Sequence, residues 1–355
     1  MEFTQDQSLQ LEVSKIKALM AGYPDGIRED GEWLAGFVRE RCSRNVSTLA
    51  ALCKKLKYEM HETTLSRVLR GKLFDGDGQP VMRLKTFSSL IQALRKEDYL
   101  ANLSGKVPFI ETPTWTLFKD YVEFKRAPET VCKFGLVIGP TGSQKSRCAK
   151  EFAVRNNHGA TAHMETPETP TMGKFITKLG VCYGVSEHYA GEKKRIRINE
   201  AVNDKSTIII DNIQRMYKPR RGWDQPIFNY VQQLQDDTNC TIIFICVPEF
   251  ELTLASGMEK GYFEQFEGRV GGRSEFLVLP EFAPPEDVLA IAEAFGLKDA
   301  EDHLDELLKL AHQRGRIRIL FNALQKAKRV AEAGKAALTM GHVRAAVKVK
   351  SGGVK

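Results

Sequence analysis

Apolar and polar positions follow two periods along this chain, and the change from one to the other divides it. Up to residue 105 the apolar residues recur at helical spacing, as in Trp33, Leu34, Phe37 and Val38. Ser47–Cys53 predicts one short helix and the stretch Met60–Lys72 a second, ending in Arg70-Gly71-Lys72, with Leu65, Val68 and Leu69 facing inward. The Asp75-Gly76-Asp77-Gly78 turn precedes a further helix over Leu84–Glu97. Residues 101–114, with Gly105, Pro108 and Pro113, read as a linker. The spacing then predicts a helix over Trp115–Arg126, with Trp115, Phe118, Val122 and Phe124 as core.

Beyond it come short apolar runs of strand length: Phe134–Ile138, Ala160–Met164, Ser206–Asp211, Cys240–Val247 and Phe276–Leu279. Helical stretches lie between them, over Arg147–Arg155, Thr171–Tyr183, from Gly191, and over Ile227–Leu234. Such alternation predicts an α/β fold around a parallel sheet. Pro280–Pro285 marks a boundary, and Glu286–Val347 reads as helical: Val288–Phe295, Ala300–Arg314, Arg316–Ala333 and Thr339–Val347. The predicted organisation is therefore an all-α domain (1–105), an α/β domain (106–280), a helical domain (281–347) and a basic, Gly-rich tail (348–355) that reads as disordered.

Composition narrows the class. The apolar fraction of 42% is that of a globular protein with a real core. A net charge of +7 suits a polyanionic partner, although 27% charged residues is an ordinary load. The cysteines Cys42, Cys53, Cys132, Cys148, Cys182, Cys240 and Cys246 are scattered, with no C-x-x-C spacing, so neither a zinc site nor a disulfide framework is indicated. The polar N-terminus is no signal peptide, and no apolar run approaches the ~20 residues of a membrane span. The expected location is the cytoplasm, with no membrane partner.

The chemistry centres on Lys133–Lys150. A strand, the loop Gly139-Pro140-Thr141-Gly142-Ser143-Gln144, then Lys145-Ser146-Arg147 opening a helix is the layout of a phosphate-binding P-loop. Backbone N–H groups of such a loop and the positive helix end cradle phosphates. Lys145 would reach the β/γ-phosphates of ATP, and Ser146 would offer its hydroxyl to Mg²⁺. The pattern G-x-x-x-x-G-K-S/T asks for Gly where this chain has Gln144, whose side chain is expected to crowd the phosphates or shift the loop. The run Ser206–Ile210 ends in Asp211, an acid at a strand's C-terminal end, placed to hold Mg²⁺ through water. Asn212 follows it and, being an amide, takes no proton as a carboxylate would, so slow hydrolysis is expected. Glu165, after another predicted strand, is the alternative acid.

Basic residues suggest nucleic acid. Thr63, Thr64, Ser66 and Arg67 stand near the N-terminus of the second short helix, with Arg70 and Lys72 at its end. In a helix-turn-helix the first four would face bases and the last two would clamp phosphates. A second basic stretch holds Lys193, Lys194 and Arg195, and a third, with interleaved aromatics, Lys218, Arg220 and Arg221. A small helical domain with a solvated basic face is the alternative reading of the first, and a solvated surface loop that of the third.

From about Ile110 to Val347 the order of elements resembles that of an AAA+ ATPase with a helical lid. The N-terminal helix-turn-helix, the aromatic helix before the P-loop, Phe263–Arg273 and the segment QRGRIRILFNALQKA (313–327) resemble the phage Mu B transposition protein family and related transposon target-selection ATPases. The resemblance implies an ATP-dependent protein that oligomerises on double-stranded DNA as a ring or helical filament and stimulates a transposase. It implies Asp211 as the Walker B acid, Arg269 or Arg273 as the arginine finger, and Arg318 as the lid arginine. Gln144, Asn212 and Val247 depart from the family pattern. Two other readings compete: a non-hydrolysing nucleotide-bound DNA scaffold, and a helicase-loader-like adaptor of a mobile element.

Overall fold

The structure, a computed structural model, describes residues 19–43, 45–74, 76, 78–103, 108–156, 161–218, 224–255 and 260–348. The chain forms two compact units, residues 1–102 with 176–201, and residues 103–175 with 202–355.

The first unit is helical. It holds α1 (Asp25–Arg41), α2 (Val46–Lys55), α3 (Glu62–Leu69) and α4 (Leu84–Leu103). Asn45 caps α2 by accepting from the Ser47 and Thr48 amides, which satisfies donors that have no partner within the helix. Leu34, Val38, Leu49, Cys53, Leu65, Leu69, Phe87 and Leu94 bury one continuous core. The sequence pattern groups residues 176–201 with the α/β domain. In the structure they pack instead with the helices of the first unit. Gly184 lies in the left-handed region, and a Cβ there would stand 1.9 Å from the Gln92 carbonyl oxygen, so only glycine permits the approach to α4. Tyr189 donates to Asp30 (3.1 Å), and Arg95 of α4 pairs with the same carboxylate (3.1 Å). Burial pushes the Asp30 carboxyl up, against the pull of Arg95 and the Tyr189 hydroxyl.

The second unit is built on an all-parallel sheet in the order β2-β3-β4-β1-β5. Its strands are β1 (Phe134–Ile138), β2 (Thr161–Glu165), β3 (Thr207–Asp211), β4 (Thr241–Cys246) and β5 (Leu277–Val278). β1, β3 and β4 are buried at every position, which is why they read as unbroken apolar runs rather than alternating ones. On one face α5 (Pro113–Arg126) brings Trp115, Phe118 and Val122 against Phe152 and Ile243. Phe124, expected in that core, is 52% exposed, because its position on the helix turns it off the buried stripe. On the other face Phe134, Phe228, Phe244 and Phe266 cluster, mostly edge to face, with centroids 5.0–6.4 Å apart. The C-terminal helices α12 (Pro285–Phe295), α13 (Leu304–Ala311), α14 (Ile317–Ala333) and α15 (Met340–Lys348) enclose their own core around Ile291, Leu307, Leu320 and Leu324. The predicted single helix over Ala300–Arg314 is a 3-10 turn at Glu301–His303 followed by α13. No helix among the described residues is long and apolar enough to cross a membrane.

Candidate nucleotide-binding site

Parallel pairing sets the C-terminal ends of β1, β2, β3 and β4 side by side, where α/β sheets place their ligands. A cleft of about 830 Å³ opens there, lined by loop residues 141–146, by Glu165, Asp211, Asn212 and Arg215, and by Ile317, Arg318 and Phe321 of α14. From β1 the chain passes through residues 139–144 into α6 (Lys145–Arg155). Gly142 has φ +90°, and a Cβ on it would lie 2.8 Å from the Gly315 carbonyl oxygen, so the loop and the turn before α14 meet only through glycine. Gln144 stands at φ 68°, ψ −3°, a left-handed conformation that costs a non-glycine residue about 1–2 kcal/mol. The pattern asks for glycine here because of this backbone. The Gln144 side chain donates from Nε2 to Asp287 (3.4 Å).

Lys145 folds back over the loop. Its Nζ donates to the carbonyls of Gly139 (2.5 Å) and Pro140 (2.7 Å) and to the Ser143 hydroxyl (3.3 Å). Burial lowers the ammonium to about 8. Asp211 opposes that shift, and Arg318 and Arg316 add to it. Ser146 hydrogen-bonds Asp211, whose carboxyl is raised by burial even though Ser146, the Asn212 amide and Lys145 all favour its charged form. Asp211 is 3% exposed and accepts from the Asn212 amide at 2.8 Å. A buried carboxylate joined to a hydroxyl beside a phosphate loop suits Mg²⁺. That ion takes one or two protein oxygens and completes its shell with phosphate and water. No cluster of three or more His, Cys, Asp or Glu residues able to hold a metal occurs among the described residues, and this mode of binding needs none.

The other predicted residues scatter. Arg147 lines the cleft, but its guanidinium donates to the Pro108 carbonyl (2.5 Å) and lies over Phe321 (4.6 Å). Arg318 lines the cleft. Neither finger candidate lines it: Arg269 is bidentate on Asp236 (2.5 and 3.0 Å), and Arg273 is paired with Glu267 (3.0 Å). Val247 lines the cleft at the end of β4. Thr63, Arg67, Arg70 and Lys72 are exposed on and just after α3, whereas Thr64 and Ser66 are half-buried. On α8 (Gly191–Ala201) Lys193 is exposed over the Tyr189 ring and Arg195 is half-buried. Lys194 is buried and donates to Thr177 (2.7 Å), so a surface contact from it is corrected by the packing of α8. Lys218 is half-buried, and Arg220 and Arg221 lie outside the described residues.

Sequence reasoning missed Arg316, which sits at φ 52° and donates to the carbonyls of Glu281 (2.6 Å) and Thr141 (3.4 Å), tying the turn before α14 to the phosphate loop. It also missed Ile317, Phe321 and Gln325, whose spacing of four on α14 was the available signal for one helix face towards the cleft.

Two family models match: the AAA domain over residues 129–254, and the C-terminal domain of the Mu B transposition protein over residues 280–349. No curated protein matches the chain in sequence. Among solved structures the chain is similar to Cdc6p from Pyrobaculum aerophilum, with TM-score 0.50 and 12% identity over 73% of this chain and 72% of that one. It is also similar to the RuvB Holliday junction branch migration motor of Thermotoga maritima, with TM-score 0.43 and 15% identity over 70% and 72%. The match to Cdc6p bears on the fold and the two family models on kinship: residues 129–254 carry an AAA domain, and residues 280–349 resemble the C-terminal domain of the Mu B transposition protein.

Proposed function

We propose that the chain binds ATP with Mg²⁺ in the cleft, oligomerises on double-stranded DNA and recruits or stimulates a transposase. The observation that carries the nucleotide reading is the meeting of Lys145, Ser146 and Asp211 at the ends of β1 and β3. Lys145 exchanges the Gly139 and Pro140 carbonyls for the β/γ-phosphates, and Ser146 and Asp211 hold the ion, which neutralises phosphate charge. Arg318 meets the nucleotide from the lid, and Arg316 links lid and loop. Residues 106–175 with 202–280 serve as the nucleotide-binding domain, 281–347 as the lid, and 1–105 as a DNA-binding domain of helix-turn-helix type. The exposed cations Arg67, Arg70 and Lys72 support phosphate contact by α3, and Lys193 and Lys218 would extend it. The Mu B match over residues 280–349 supports the transposition role.

A non-hydrolysing scaffold is the second reading, favoured by Asn212 at the position where the family carries glutamate. Electron microscopy of the protein with duplex DNA tests the assembly claim. ATP-dependent rings or filaments on DNA are expected, and single unassembled particles with and without ATP would contradict it.

A further inference from the structure

We propose that Glu165 is the general base for water attack on the bound nucleotide, oriented by Asn212 and Arg215; this rests on the nucleotide-binding reading above. The carboxylates among the residues lining the cleft are Glu165 and Asp211. Asp211 is 3% exposed, with its oxygens engaged by the Ser146 hydroxyl and the Asn212 amide, in the place of a metal-binding acid. Glu165 is 47% exposed at the side chain, so water reaches it.

The strand register places Glu165 directly opposite Asp211, at the same end of the sheet. Asn212 stands at φ 59°, a conformation that asparagine adopts more readily than most residues. Its Nδ2 donates to Glu165 Oε1 (3.0 Å), while its Oδ1 accepts from Gln214 Nε2 (3.2 Å). The Gln214 bond fixes which end of the amide faces Glu165. Arg215 Nη1 donates to the same Glu165 Oε1 (3.0 Å) and to the Thr166 carbonyl (2.9 Å). All these bonds to Glu165 land on Oε1, which leaves Oε2 to take a proton. The amide therefore occupies the usual base position and holds a carboxylate that arrives from the neighbouring strand.

The step balances. The water oxygen forms a bond to the γ-phosphorus as the β–γ bridging bond breaks, and that electron pair leaves on the ADP oxygen. One water proton passes to Glu165 Oε2 and from there to solvent.

The experiment measures phosphate release at saturating ATP and Mg²⁺, with and without duplex DNA, beside ATP affinity from titration. Glu165→Gln keeps the acceptor for Asn212 and should lower kcat by about 10²–10⁴-fold with affinity nearly unchanged. Glu165→Asp should retain part of the rate. Asn212→Ala removes a donor that orients the carboxylate, so kcat should fall while ATP affinity stays nearly unchanged. Wild-type protein that binds ATP yet turns over no faster than Glu165→Gln overturns the assignment and leaves the binding reading standing. Wild-type protein that does not bind ATP overturns both.

Discussion

Lys145 carries the most information at the scale of single residues. Its ammonium is buried and lowered to about 8, and three oxygens of its own loop hold it. A triphosphate is a stronger partner than these neutral oxygens and raises the bound-state pKa. Binding between about pH 8 and the higher bound-state value must therefore take up a proton. ATP affinity should be flat below about pH 8 and fall by up to tenfold per unit above it. Calorimetry at about pH 8.5 in two buffers of different ionisation heat should show the uptake directly; equal heats would contradict the shift. The phosphate loop was readable in the sequence because its parts, Gly139 to Ser146, are adjacent, and Asp211 because it ends an apolar run of strand length. The Asn212–Glu165 bond was not, because it depends on which strand neighbours β3. The left-handed backbone at Gln144 and its bond to Asp287 were not legible either, because the first is a matter of loop conformation and the second joins positions far apart in sequence.

At the scale of elements, glycine contacts decide which helices dock. Gly184 admits residues 176–201 to α4 at a distance where the Gln92 carbonyl excludes any Cβ. Gly184→Ala should cost on the order of 2–4 kcal/mol, from the clash and the left-handed backbone together. Thermal unfolding followed by circular dichroism would check it, and an unchanged Tm would show that the segment packs otherwise. The strands and helices of the second unit were legible because buried parallel strands are apolar throughout and the helices between them keep their period. The assignment of residues 176–201 was not legible. Their helical pattern is equally at home in either unit, and the deciding features, Gly184 and the Asp30–Tyr189 bond, join positions far apart in sequence.

For the whole molecule, a net charge of +7 and the exposed Arg67, Arg70 and Lys72 argue for a phosphate-contacting surface on the first unit. Replacing all three by alanine should weaken duplex binding for every sequence alike. The log–log salt slope should drop by roughly one for each phosphate that is no longer neutralised. An unchanged slope would place the DNA surface elsewhere. Substitution is a cleaner test than deleting residues 1–105, since 176–201 pack with the deleted helices. The two finger candidates separate by what holds them. Arg269 is half-buried on Asp236 within its own subunit, so Arg269→Ala should cost up to about 1 kcal/mol of stability. Arg273 opens a 3-10 turn (Arg273–Glu275) after Gly271-Gly272 and is exposed. Arg273→Ala should leave Tm unchanged and lower turnover only in the assembled state.

The cleft at the ends of β1 and β3 is proposed as an ATP site held by Lys145. Calorimetric titration of ATP with Mg²⁺ into the wild type and Lys145→Ala tests it most directly. Saturable binding to the wild type is expected, with at least a tenfold loss, about 1.4 kcal/mol or more, in a variant that keeps its circular dichroism spectrum. Equal ATP affinity in the two folded proteins would contradict it.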